Sequence, residues 1–378
     1  MSNPRIVIAG GGTGGHVAPA LALAEEITAR FGPGCVHLIC GDNALERGMI
    51  ANAGLPFTAL SVARPKGTLR SKATTVVSTA LAVPAARRVL KDFRASAVVC
   101  VGGYASLPGA MAAGLLRVPV VALEANAVPG RVTRTIARFA RVCYAHLPLT
   151  TRLDCRVEVR GNPVRAAFRA RVSKAEARRA LGLDARTPVL LCIGGSQGAA
   201  ALNDALLSAA PTLPRDRLQV LHLSGNEDAE RAERTWRAAG ILHRVAPFTH
   251  HTALWMAAAD LALTRAGAGT ISELMVMGVP MLLVPYPEAA DDHQRANAAF
   301  VAAAGAGLAV PQESMDAPRL RELLETYLFA PENREKLARA AVLAARPKAA
   351  EDILRGVLAE IGFSQGATPA DSTTRAAA

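Results

Sequence analysis

Aromatic residues are scarce, with Phe, Trp and Tyr together making up 4% of the 378 residues. Binding of single-stranded nucleic acid usually needs such rings as stacking platforms, and no duplex-recognition motif is present, so nucleic acid is not an expected partner. Cysteine chemistry is thin as well. The six cysteines, Cys35, Cys40, Cys100, Cys143, Cys155 and Cys192, sit mostly in apolar segments with no CxxC pair among them. They read as reduced thiols of a cytoplasmic protein. No run of about 18 uncharged apolar residues occurs, and the start, Met1 to Arg5 leading into IVIAGGG, lacks a charged segment followed by a long apolar one. Neither a membrane span nor a signal peptide is expected. There is no Asp-x-Asp triplet and no His or Cys cluster at metal-ligand spacing, so neither a metal nor a cofactor is expected.

What is present is a globular composition, 51% hydrophobic and 20% charged, in a length that suggests two domains. The charge is uneven. Residues 1 to 160 hold 19 Lys and Arg against 8 Asp and Glu, whereas residues 161 to 378 hold 24 against 23, so nearly all of the formal charge of +12 lies in the first part. A basic half-protein points to an anionic partner, whether nucleic acid, an anionic membrane surface or a phosphorylated substrate.

Short apolar runs are followed by glycine clusters and then by helical stretches. RIVIA (5–9) leads to GGGTGGHVAPALALAEEI, AVVCV (97–101) to GGYASLPGAMAAGLL, and VPVVAL (118–123) to EANAVPGR. Around 160–188 the pattern breaks into RGNPVRAAF, a charged helical stretch and DARTP, read as the link between domains. It then restarts with PVLLCI (188–193), RLQVLHL (217–223), LALT (261–264) and VPMLLVP (279–285). The expected fold is α/β, two doubly wound parallel sheets facing across a cleft, with ligands at the carboxyl ends of the strands. The expected division is 1–162, 163–345, a terminal helix over 346–365 and a small, polar, disordered tail over 366–378.

The glycine turns suggest what the cleft holds. In Gly10 to His16, glycine allows close backbone approach while the N–H groups of the following helix favour an anion. No GK[ST] follows, so this is not a Walker loop. The device recurs at Gly102-Gly103-Tyr104-Ala105-Ser106, at Gly194-Gly195-Ser196-Gln197-Gly198 and at Gly267-Ala268-Gly269-Thr270. Anions bound from both sides suggest a nucleoside diphosphate in one domain and a second phosphorylated substrate in the other. Glu273, one turn into its helix, suits a hydroxyl pair or a plain first-turn role beside the dipole. Asp291, Asp292, His293, Gln294 and Asn297 offer the mixed donors and acceptors that a sugar needs, or an ordinary helix cap. His16, at the start of the first helix, is a candidate general base or a capping residue.

The ordered set GGTGGHV, GGYAS, GNPVR, GGSQGA, RAGAGTISEL and VPYPEAADDHQRANA resembles the MurG glycosyltransferases, over about residues 5 to 345. These transfer N-acetylglucosamine from UDP-GlcNAc to the C4 hydroxyl of undecaprenyl-pyrophosphate-linked MurNAc-pentapeptide in peptidoglycan synthesis. The resemblance implies the GT-B fold, with the acceptor in the N-terminal domain and UDP-GlcNAc in the C-terminal one. It implies that Arg165 and Ser196 meet the diphosphate or nucleotide, that Thr249 meets the uracil through its backbone, that Ala268, Gly269 and Thr270 present main-chain groups to the α-phosphate side, and that Ile271 and Ser272 belong to the substrate-binding set. Glu273 would hold the ribose hydroxyls, and Gln294 with Asn297 the sugar. Thr13, Gly14, Gly15 and Asn126 would complete the cleft, Gly102, Gly103, Tyr104 and Ser106 would form the acceptor pocket, and His16 and Glu124 would be the catalytic candidates. The reaction inverts the anomeric carbon through an oxocarbenium-like transition state, without a metal. One stretch departs from the family pattern: Leu123-Glu124-Ala125-Asn126 stands for His-Glu-Gln-Asn, and Thr133 for an Asn.

The basic half then reads as a membrane face. Lys66, Arg70, Lys72, Arg87, Arg88, Lys91 and Arg94 surround Val76, Val77, Leu81, Val83 and Leu90, with Leu115, Leu116 and Arg117 alongside. Peripheral association with the cytoplasmic face of the inner membrane is expected, with cell-wall synthesis and division proteins as further partners. The competing readings are another GT-B glycolipid glycosyltransferase, a UDP-GlcNAc 2-epimerase of the same fold, and a non-catalytic UDP-sugar sensor.

Overall fold

The structure is a computed structural model and describes residues 3–12, 14–65, 68–170, 172–194 and 199–363. Thr13, Lys66, Ser196 and the tail over 366–378 lie outside them. The first sheet is built from β1 (Ile6–Ala9), β2 (Val36–Gly41), β3 (Phe57–Leu60), β4 (Ala97–Cys100), β5 (Val120–Glu124), β6 (Val142–Ala145) and β7 (Arg156–Val159). The second is built from β8 (Val189–Ile193), β9 (Gln219–Leu223), β10 (Leu242–Ala246), β11 (Leu261–Thr264), β12 (Met281–Leu283) and β13 (Gly307–Ala309). The strand orders are β3-β2-β1-β4-β5-β6-β7 and β10-β9-β8-β11-β12-β13, and the pairings are parallel throughout. The order reverses between β1 and β4 in one sheet and between β8 and β11 in the other. The glycine turns after β1, β4 and β11 stand at these switch points, where such sheets open to a ligand, while residues 195–198 after β8 lie outside the described residues.

Alternation along the strands fills a layer on each face. Ile6 and Ile8 pack with Leu23, Ile27 and Leu38, while Val7 and Ala9 pack with Val98, Cys100 and Ala113 on the opposite side. In the second sheet Val189, Leu191 and Ile193 join Phe168, Trp255 and Met275, and Leu190 and Cys192 join Leu206, Trp236 and Leu324. The last helix, Ala349–Glu360, packs on the first sheet: Ile353, Leu354, Val357 and Leu358 belong to the layer of Ile6 and Ile8. Where the chain leaves the first sheet, Arg160 donates to the Asp352 carbonyl and stacks 4.4 Å over the Tyr144 ring. The outgoing and returning segments are thereby tied together at the hinge.

The stretch 160–188 is more than a link. Val164, Phe168, Ala177 and Leu183 are buried in the second-domain core. Helix Lys174–Ala180 opens with a capping box between Ser173 and Glu176 and carries Arg178 into the interior. Arg178 pairs there with Asp260 and donates to the Ala185 carbonyl at 2.7 Å, while Asp260 also accepts from Val189 N at 2.8 Å and Lys174 at 2.7 Å.

Helix Leu69–Asp92 starts at the Thr68 cap and lies on the outside of the first sheet. Leu69, Val76, Val77 and Leu81 are 57% to 84% exposed, and Leu115 on the neighbouring helix Ser106–Leu116 is 68% exposed. Val83 and Leu90, expected on this face, point into the core instead. Spacings of three and four place Arg87, Arg88 and Lys91 along the same outward side as Val77 and Leu81. No helix among the described residues is long and apolar enough to cross a membrane.

Replacing Asp260 by Ala leaves the buried Arg178 uncompensated and is expected to cost about 3 to 5 kcal/mol. Denaturant unfolding followed at Trp236 and Trp255 tests this; a loss under about 1 kcal/mol would show that the cluster is not what fixes this segment to the second domain.

Candidate active site

The carboxyl ends of the two sheets face a shared cavity of 760 Å³. The first domain contributes Gly15 and His16 at the start of helix Gly14–Phe31, Gly102, Gly103 and Tyr104 after β4, Glu124 at the end of β5 and Asn126 just after it. The second contributes Gly267 to Thr270 and Glu273 from helix Ala268–Met277, together with Asp291 and His293 after β12.

The two first-domain turns interlock. Gly103 has φ +74°, and a Cβ there would run into the Gly11 carbonyl oxygen, so only glycine closes this turn. Gly102, at φ +92°, supports the imidazole: a Cβ there would stand 2.9 Å from His16 Cδ2. His16 is therefore seated on bare backbone. Burial lowers its pKa below 6.5, with Glu124 and Glu46 opposing and Arg64 reinforcing the shift, so the ring is neutral at pH 7 and able to accept a proton.

Glu124 is buried at the end of β5. Its Oε1 accepts from Asn126 N at 2.9 Å and Asn126 Nδ2 at 3.2 Å, and its Oε2 accepts from Gly130 N at 3.0 Å. Its geometry is that of a carboxylate that folds the 125–130 loop. Asn126 then reaches across the cleft. Asn297, fully buried, donates to Asn126 Oδ1 and the Ala266 carbonyl, both at 3.1 Å, and accepts from Ala127 N at 2.9 Å. A second bridge joins His146 Nε2 to Ser272 Oγ at 3.0 Å, while that hydroxyl donates to the Ala268 carbonyl at 2.6 Å. Burial pushes His146 down to about 4.

The expected site residues thus divide by depth. Gly14 lies at the start of its helix, and Gly15, His16, Gly102, Gly103, Tyr104, Glu124, Asn126, Ala268, Gly269, Thr270 and Glu273 meet around the cavity. Ile271 and Ser272, on the other side of their helix, are buried. Ser106 is buried as well and donates to the Gly103 carbonyl at 2.6 Å. Gln294 Oε1 accepts from Tyr286 N at 2.9 Å and Ala266 N at 3.2 Å, holding the turn after β11 against that after β12. Thr249 caps the loop between β10 and helix Thr252–Ala258 by accepting from His251 N at 3.0 Å. Arg165 stacks over Phe168 and acts electrostatically on Glu273; its buried Nε has no partner among the described residues. The structure adds Arg64 and Arg131, which line the cleft and were not legible in the sequence; Arg131 lies 3.9 Å from Asp291 of the other domain. Arg64 follows the four-residue strand β3, which has too little periodicity to announce itself.

Burial raises the Glu273 carboxyl to about 7, with Arg165 pulling the other way. A carboxyl raised in the folded state favours the protonated form, so it lowers stability as pH rises from the ordinary carboxyl range through 7. Glu273→Gln should therefore raise the thermal midpoint at pH 8 while changing it little at pH 4.5. Differential scanning calorimetry at the two values tests this; an equal shift at both would rule out the titration.

Residues 6–145 match the glycosyltransferase family 28 N-terminal domain and residues 189–353 the family 28 C-terminal domain. A relative from Anaeromyxobacter sp. (strain Fw109-5) is 37% identical over 374 residues, spanning 97% of this chain and 96% of its own. One from Pseudomonas syringae pv. tomato is 41% identical over 356 residues, 93% of this chain and 97% of its own. Both are named UDP-N-acetylglucosamine–N-acetylmuramyl-(pentapeptide) pyrophosphoryl-undecaprenol N-acetylglucosamine transferase. The crystal structure of Acinetobacter baumannii MurG superposes with a TM-score of 0.71 at 30% identity, covering 94% of this chain and all of that one. A UDP-N-acetylglucosamine 2-epimerase superposes at 0.68 with 16% identity over 97% of this chain and 99% of that one, a likeness of fold. With its two parallel-sheet domains, its switch-point glycine turns and this near-full-length identity, the chain belongs to the MurG family of GT-B glycosyltransferases.

Proposed function

We infer that the protein transfers N-acetylglucosamine from UDP-GlcNAc to the C4 hydroxyl of an undecaprenyl-pyrophosphate-linked MurNAc-pentapeptide. The observation that carries this reading is the cleft itself, where a neutral His16 from one domain and the Gly267 to Glu273 turn from the other line one cavity, in a chain 37% to 41% identical to transferases so named.

In this reading the first turn of helix Ala268–Met277 faces the donor diphosphate with its N–H groups, and Arg165 adds positive charge. Glu273 takes the ribose hydroxyls, and Thr249 meets the uracil through its backbone. Gln294 orients the sugar, its Oε1 already fixed by two backbone N–H groups. The acceptor hydroxyl attacks the anomeric carbon on the face opposite UDP. Its proton passes to His16, the bond to the UDP oxygen breaks, and the diphosphate leaves with the electron pair. Glu124 acts by holding the 125–130 loop and by its charge on His16. Ser196 and Thr13 are assigned to the donor diphosphate and the acceptor side by motif alone.

The test is transfer of labelled GlcNAc to a short-chain lipid-linked MurNAc-pentapeptide with EDTA present. The protein should turn over, His16→Ala should lose about 10² to 10⁴ in kcat, and Glu273→Ala should chiefly raise the donor KM. Binding of UDP-GlcNAc without transfer would contradict the reading and favour a sugar-nucleotide sensor.

The exposed apolar side of helix Leu69–Asp92, continued by Arg87, Arg88 and Lys91, suits an anionic leaflet, which is where a prenyl-linked acceptor resides. At about 1 kcal/mol per cation near the surface, neutralising these three should weaken binding to anionic liposomes on the order of 100-fold and leave UDP affinity unchanged. Unchanged co-sedimentation would refute the membrane face.

A further inference from the structure

In the β1 turn the N–H groups of Gly10, Gly11 and Gly12 are already engaged within the chain. Gly10 N donates to the Ile39 carbonyl at 2.9 Å and Gly11 N to the Gly102 carbonyl at 3.2 Å. Gly12 N donates to Glu46 Oε1, and Gly41 N to Glu46 Oε2 at 2.9 Å. Glu46 is 1% exposed and also accepts from the Asn43 amide. The chain has supplied its own anion, and an incoming phosphate would have to displace a buried carboxylate that already has its hydrogen bonds.

Positive charge is available just outside. Arg64, its side chain 53% exposed, donates through Nη2 to the Gly12 carbonyl and stands 3.8 Å from Glu46 Oε1. Beside it a second cavity of 450 Å³ opens at the carboxyl ends of β2 and β3, with Leu60, Val62 and, from helix Leu69–Asp92, Ser78 along its wall and Asp42 and Asn43 at its edge, where Asp42 accepts from Ser61 Oγ at 3.0 Å and pairs with Arg47. Arg64 and Tyr104 line both this cavity and the main cleft. Arg64 is the one Lys or Arg among the described residues that line the side cavity. The helix that walls this cavity with Ser78 turns Val76, Val77 and Leu81 outward to solvent. The side cavity is thus walled by the same helix that carries the apolar face.

We propose that Arg64 holds the diphosphate of the acceptor at the junction of the two cavities, and that the side cavity receives the first prenyl unit on its way to the apolar face. The proposal rests on the transferase reading for the choice of a prenyl diphosphate. Its chemistry is a guanidinium that keeps one N–H on Gly12 and turns the rest of its fork toward paired phosphate oxygens.

Isothermal titration of geranyl diphosphate, geranyl monophosphate and UDP into the full chain tests it independently of turnover. Arg64→Ala should weaken geranyl diphosphate about 10- to 100-fold, the loss of charge-assisted hydrogen bonds, and Arg64→Lys should restore part of this. The same change should also weaken geranyl monophosphate, and it should leave UDP unaltered. Ser61→Trp, at an exposed position on the cavity rim, should weaken both geranyl ligands while leaving inorganic pyrophosphate unchanged. Thermal midpoints of the variants near that of the parent protein keep the comparison fair. The proposal is overturned if geranyl diphosphate does not bind saturably, if Arg64→Ala binds it as the parent does, or if UDP loses affinity to the same extent. Intact Arg64-dependent binding with no GlcNAc transfer would support this site and count against the transferase reading instead.

Discussion

Parallel strands joined by helical crossovers send every strand's carboxyl end to the same edge, and this constraint decides where chemistry can occur in the molecule. Two such edges face each other here, so a donor cradled by one sheet and an acceptor cradled by the other meet without any long catalytic loop. The order reversals between β1 and β4 and between β8 and β11 open gaps between crossovers, and in the sequence glycine clusters follow each of these four strands. What keeps the two edges in register is a small set of polar bridges. Asn297 is satisfied by Asn126, Ala127 and Ala266 at once, and His146 meets Ser272 in the dry interface. A buried amide with all its bonds made specifies one arrangement far more sharply than apolar contact does.

The elements visible in the sequence are those buried on both faces. RIVIA, AVVCV, VPVVAL, PVLLCI and LALT are uninterrupted apolar runs because both layers of helices cover them, and they correspond to β1, β4, β5, β8 and β11. The strands that escape notice are short or lie at an edge: β3 and β13 have four and three residues, and β7, Arg-Val-Glu-Val, alternates charged residues with valine and has most of its residues exposed. The terminal helix is legible as a helix, but its place on the first sheet is a tertiary fact carried by Ile353, Leu354 and Val357.

The site shows the same division. Glycine turns are local, so sequence reads Gly102, Gly103 and Gly267 to Thr270 as strand-end turns, and in the structure they line the cavity. Helical phase is finer: on helix Ala268–Met277, Gly269, Thr270 and Glu273 share the cleft side while Ile271, Ser272 and Leu274 turn inward, which a contiguous motif does not separate. The partners of the β1 turn are beyond local reading altogether, because Glu46 lies 34 residues from Gly12 along the chain. A loop that looks like an anion site from its glycines has its anion built in, and the charge left for a ligand belongs to an arginine after a four-residue strand.

The central claim is that donor and acceptor chemistry converge between His16 and Glu273 in a single interdomain cavity. A crystal structure with UDP-GlcNAc bound tests it most directly. The account predicts the ribose hydroxyls on Glu273, the diphosphate at the start of helix Ala268–Met277, and the anomeric carbon open toward His16 across the cleft. A donor bound with its sugar turned away from the first domain, or seated outside the cavity that the two domains share, would contradict it.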